Sequence, residues 1–141
     1  MIDFDNQTPS ELSLELFTPI ASFLNAPSLE LLIINNATMQ EINQQTRDID
    51  KPTDVLSFPL EVFQKEDPIG SILISIDKAK ELSMELGHSL EDELKLLFTH
   101  GLLHLLGFDH ECDEGEMRAK ELEVIEHFKL PKSLIIRTQE S

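Results

Sequence analysis

Positive charge is what this chain has least of. Against 27 Asp and Glu it carries 11 Lys and Arg, a formal net charge of −16 over 141 residues. A protein that holds nucleic acid mainly by neutralising phosphates needs a basic face, yet the acids here are spread along the whole chain. Composition therefore argues against tight nonspecific nucleic-acid binding. Any chemistry on RNA must rest on a local site, and no DNA partner is expected. Cysteine is almost absent as well. The single Cys112 cannot close an internal disulfide, which fits a reducing compartment and leads us to expect a cytoplasmic protein. Long apolar runs are missing too. No stretch approaches the roughly 20 residues that span a bilayer. The N-terminal MIDFDNQTPSELS is acidic and holds no apolar signal-peptide core. No membrane partner is expected.

What remains suits one compact domain over residues 1–141, with 40% hydrophobic residues and no repeat, low-complexity segment or linker. Residues 1–6 read as a short edge strand. Ser10 is a candidate N-cap for a helix running towards Leu24, which Pro19 should kink or split. The aliphatic run Leu29–Asn35 predicts a strand, and Thr38 with Glu41 forms a capping box for a short helix to about Gln45. Val55–Phe58, bracketed by Pro52 and Pro59, predicts a short peripheral strand, and Ile69–Ile76 predicts another. Asp77 then caps a helix ended by Gly87. Ser89 starts the next helix, with Glu91, Asp92 and Glu93 in its first turn and Gly107 at its stop. Asp113 with Glu116 opens an acidic helix to about His127. The last residues, FKLPKSLIIRTQES, add a strand or a tail. The class is α/β in the broad α+β sense: a small mixed sheet packed with helices.

The segment HGLLHLLGFDHE holds three of the five histidines, His100, His104 and His110. His100 and His104 are one helical turn apart and project from the same face. Gly107 can adopt a left-handed conformation, so that the chain turns back and brings His110 to the same point. Three imidazoles with one position left for water are the catalytic zinc pattern. One zinc ion per chain is expected, although nickel, copper or cobalt would also suit these ligands. Cys112 is disfavoured as a fourth ligand, because it follows His110 in a chain already turning into a new helix. The surrounding helix is apolar almost all round, hence central and buried. Metzincin proteases share this spacing, H-E-x-x-H-x-x-G-x-x-H, but their general base is the Glu after the first histidine, and here that position is Gly101. The metal geometry is that of a protease; the chemistry is not.

A second informative stretch is RDIDKPTDVLSFP, residues 47–59, in which Arg47 stands among acids and amides. A guanidinium there can be an ordinary surface group or a clamp on a phosphate beside the metal. Taken together, HGLLHLLGFDH and PTDVLSFP resemble the YbeY family of bacterial endoribonucleases over nearly the whole chain. The resemblance implies zinc bound by His100, His104 and His110, and Arg47 as the functional arginine of the catalytic set. It further implies cleavage of single-stranded RNA in small-subunit rRNA 3′-end maturation and ribosome quality control. Two departures stand out. Phe108 occupies a position where Tyr is common, and Gly70-Ser71 stands where family members usually carry Gly-Asp. The acidic balance implies that the protein meets rRNA on the ribosome or through a ribosomal protein.

The expected reaction is metal-assisted phosphodiester hydrolysis, with Arg47 stabilising the charge that develops at phosphorus. No general base is evident. Asp109 reads more readily as a turn cap or histidine partner, and Asp54 and Ser57 as turn and strand-end hydrogen-bonding groups. Two other classes remain: a metal-dependent hydrolase of another substrate, which Gly101 argues against for peptides, and a non-enzymatic ribosome assembly factor whose metal is structural.

Overall fold

The aliphatic runs form the middle of a four-stranded sheet. The structure, a computed structural model, describes residues 2–108 and 115–131. Strands β1 (Ile2–Asn6), β2 (Leu29–Ile34), β3 (Val55–Pro59) and β4 (Gly70–Ser75) lie in the order β1-β2-β4-β3. The pairs β1–β2 and β2–β4 are parallel, and β3 runs antiparallel to β4. The two strands expected to be peripheral, at residues 1–6 and 55–58, are indeed the two edges. The sheet is mixed, as expected.

Strand alternation divides the sheet into two faces. Leu31, Ile33, Ile72 and Ile74, all 0% exposed, point to the larger core, which also takes Phe17, Leu94, Phe98 and Leu102. Leu32, Ile34, Leu56 and Leu73 point the other way, to a smaller cluster around Met39. Helices α1 (Thr18–Phe23), α3 (Ile76–Leu86), α4 (Leu90–Leu105) and α5 (Glu116–Phe128) contribute to the larger core, whereas α2 (Asn36–Arg47) covers the smaller one. Helices α2 and α4 therefore sit on opposite faces.

Several helix starts differ from expectation because a neighbouring polar group captures the first free N–H. Ser10 does not begin a helix; its carbonyl accepts from Asn6 Nδ2 and its hydroxyl from Lys80 Nζ. A single 3-10 turn at Leu14–Leu16 is capped by Ser13, and α1 begins only at Thr18, with Pro19 in its first turn, where a missing N–H costs nothing. Helix α2 is longer than predicted at both ends. Asn35 Oδ1 accepts from Thr38 N at 2.8 Å, so Asn35 and not Thr38 is the cap, and Asp48 ends the helix in the left-handed region. Ser75 caps α3 through Lys78 N, while Asp77 turns instead to the backbone N–H of Asn36. Gly87 ends α3 with φ of 74°, and Ser89 caps α4, both as predicted. Asp113 of the predicted capping box and the C-terminal residues 132–141 lie outside the described residues.

Helix α4 is the central element. Leu94, Leu96, Leu97, Phe98, Leu102 and Leu103 are all buried, and each such side chain contributes about 1.5–3 kcal/mol. Its N-terminal turn is pinned by a buried contact of 2.6 Å between His88 Nε2 and Glu93 Oε1. Its C-terminal turn rests on Gly70, where a Cβ would run into Leu105 and would lie 2.7 Å from the Phe58 carbonyl oxygen. Leu105 can give way, but the Phe58 carbonyl belongs to the β3–β4 ladder. Gly70→Ala should therefore lower stability by about 1–3 kcal/mol. Denaturant midpoints check this, and an unchanged midpoint would show that the close approach is not needed.

Candidate metal centre

The sequence HGLLHLLG builds the site through helix geometry alone. His100 and His104 stack on one side of α4, with their Nε2 atoms 3.1 Å apart and rings nearly perpendicular at 82°. Two nitrogens bound to one tetrahedral zinc at about 2.0–2.1 Å would stand about 3.3 Å apart. The pair thus presents two imidazole nitrogens to one point at close to the spacing a metal needs. Both residues are only partly buried. Behind the pair, Glu121 of α5 is 0% exposed, and its Oε1 lies 3.6 Å from His100 Nδ1.

The turn that should deliver a third histidine begins as predicted. Gly107 takes φ of 100°, its N–H donates to the His104 carbonyl, and Phe108 N donates to the Leu103 carbonyl. This pair of bonds is a Schellman motif, which stops the helix at Leu105, one residue after His104. His110 itself, with Asp109 and Cys112, lies outside the described residues. Among the described residues no three His, Cys, Asp or Glu side chains converge as a metal site.

The two sequence motifs meet at Gly101. A Cβ there would lie 3.0 Å from Ile72 Cγ2, 3.0 Å from Ser57 Oγ and 3.3 Å from Val55 Cγ2. The Ser57 hydroxyl donates to the Gly101 carbonyl at 3.0 Å, so the PTDVLSFP strand is tied to the histidine-bearing turn. Ser57 forms a strand-to-helix contact, and the Asp54 carboxylate accepts from the Val55 N–H. Glycine at 101 therefore has a packing reason. The position faces the sheet at contact distance, and a glutamate would have no room to enter as a protease-type base.

Arg47 is placed differently from the histidines. It is exposed in the last turn of α2, on the opposite face of the sheet from α4, and among the described residues no hydrogen bond or ion pair occupies its guanidinium. Residues 48–54 lead from it to Val55, at the start of edge strand β3. Ser71 also points away from α4. Its hydroxyl donates to Glu30 Oε1 on β2 at 2.6 Å, and an Asp in its place would set two carboxylates against each other across the strands. The departure from Gly-Asp is accommodated by this cross-strand pair and leaves the histidine side untouched.

Glu121 is the group that motif reading missed. Met117, Glu121, Val124 and Ile125 are the buried residues of α5. A glutamate in register with an apolar stripe was the available signal.

Comparisons with known proteins place the chain in a family. The family model described as Endoribonuclease YbeY matches residues 4–129. A protein of Campylobacter jejuni strain RM1221 named Endoribonuclease YbeY is 56% identical over 131 residues, covering 93% of this chain and 97% of its own. One of the same name from Wolinella succinogenes is 54% identical over 140 residues, covering 99% of each. The solution structure of TM1509 from Thermotoga maritima superposes with a TM-score of 0.63 at 29% identity, over 89% of this chain and 87% of that one. No helix among the described residues is long and apolar enough to cross a membrane. The family match over residues 4–129 and these relatives show that the chain belongs to the YbeY endoribonuclease family.

Proposed function

We propose that the protein is a zinc-dependent endoribonuclease that hydrolyses phosphodiester bonds in single-stranded RNA. The observation that carries this reading is the facing pair of His100 and His104 nitrogens at 3.1 Å, held on a buried helix in a chain of an endoribonuclease family. His100, His104 and His110 would hold the metal, which when bound supplies Lewis acidity and a water of lowered pKa. The rest falls to the chain's own groups. Helix α4 is locked between sheet and helices, which keeps the two imidazoles from moving as substrate enters. Gly101 and Ser57 bring edge strand β3 against the histidine-bearing turn, so the β3 edge borders the site. Arg47 is joined to this edge by residues 48–54, and its guanidinium would stabilise the negative charge developing on a phosphate held there.

With 11 basic residues against 27 acids, affinity for RNA cannot come from a general electrostatic surface. We infer that the substrate is rRNA, reached in the cytoplasm on the ribosome or through a ribosomal protein, and that small-subunit rRNA 3′-end maturation and ribosome quality control are the setting. Arg47→Glu is expected to cut the cleavage rate of a single-stranded RNA by about 10²-fold or more. Because Arg47 is exposed and its guanidinium makes no hydrogen bond or ion pair among the described residues, the variant's melting temperature should not move. Unchanged cleavage kinetics would remove Arg47 from the mechanism.

A further inference from the structure

We infer that Glu121 is a positioning residue for the metal centre: its carboxylate fixes the ring proton of His100 on Nδ1 and so leaves Nε2 free to bind a divalent transition metal. This inference rests on the metal reading of the histidine pair. A fully buried carboxylate on the apolar face of α5 is an expensive choice where leucine would pack, and it is directed at one ring atom of one ligand. Oε1 stands 3.6 Å from Nδ1, just beyond hydrogen-bond length, so a small approach of the two side chains would make the carboxylate the acceptor of an Nδ1 proton. The opposite ring nitrogen, Nε2, is the one that faces His104. A neutral imidazole has one N–H and one lone pair. With the proton drawn to Nδ1, the lone pair is left on Nε2, the nitrogen that faces His104. His104 Nε2 must give up any proton it carries when both nitrogens bind one cation. Carboxylates behind ligating histidines act in this way on tautomer and basicity.

The fold supports the assignment of the role to this residue. Glu121 comes from α5, which packs on α4 beyond the segment that carries His110. The metal turn is thus gripped by the sheet through Ser57 on one side and by α5 through Glu121 on another.

The test uses the full chain, with zinc as the probe, in wild type, E121Q and E121L. Zinc affinity, measured by competition with a chromophoric chelator, is expected to fall ten- to hundredfold in E121L and less in E121Q, whose amide oxygen can still accept a hydrogen bond. Nitrogen-proton correlation spectra of the metal-free wild type should place the His100 ring proton on Nδ1, and those of E121L should show it moved to Nε2. The metal-free melting temperature of E121L should not fall, which separates positioning from a purely structural role. Wild type that takes up no zinc overturns the metal reading and this inference with it. Wild type that binds zinc while E121L binds equally well overturns this inference alone. Should E121L fail to fold, the isosteric E121Q and the wild-type proton position decide: no loss of affinity in E121Q together with a bare Nδ1 in wild type overturns it.

Discussion

His104→Ala should fold and lose its zinc. The ring is only partly buried at the end of α4, so its removal should change stability by no more than about 1 kcal/mol. The proposed metal centre, by contrast, would lose one of the two nitrogens that stand 3.1 Å apart. Zinc affinity should drop by more than about a hundredfold, beyond the effect of removing an outer partner, and RNA cleavage should fall to background. Elemental analysis of the purified variant, paired with a thermal melt, checks both halves. A folded His104→Ala protein with a full complement of zinc would place the metal elsewhere. A variant without zinc that still cuts RNA at the wild-type rate would make the metal structural.

Gly101→Glu, which restores the protease motif on paper, should unfold the protein and not convert it. The position faces Ile72 and Ser57 at 3.0 Å, so even a methyl group is tight, and a glutamate adds a buried charge to the overpacking. The cost should reach about 4 kcal/mol or more, a large part of the 5–15 kcal/mol that holds a typical domain. Gly101→Ala should cost less, about 1 kcal/mol, since Ser57 Oγ can rotate aside. Denaturant titration of the two variants gives the order. A stable Gly101→Glu protein with zinc-dependent peptidase activity would show that this face of α4 opens onto the cleft and not onto the sheet.

Helix α4 was legible because everything local agreed: Ser89 at its start, acids in its first turn, a nearly continuous apolar surface and Gly107 at its end. The two interior strands were legible from their aliphatic runs. The misplaced starts at Ser10, Thr38 and Asp77 share one cause. Each offered a plausible capping side chain, but a competing group nearby, Ser13, Asn35 or Ser75, reached the free N–H first. Such competition is decided by backbone direction, which spacing does not encode. In the site, the facing of His100 and His104 follows from the four-residue spacing, so the sequence alone specified it. Glu121 did not follow, because its partner lies on another helix 21 residues away. The meaning of Gly101 changed most. As a motif position it is a missing base, whereas in the fold it is the point where the helix touches the sheet and no side chain larger than a methyl group fits.

The most direct test of metal-dependent RNA cleavage is a single assay on the purified full chain: a labelled single-stranded RNA, with chelator, and then with zinc returned. Zinc-dependent hydrolysis predicts internal cuts that stop on chelation and resume when zinc is restored, with His104→Ala inactive throughout. Cleavage that persists undiminished in chelator, in a preparation shown to be free of metal, would contradict it.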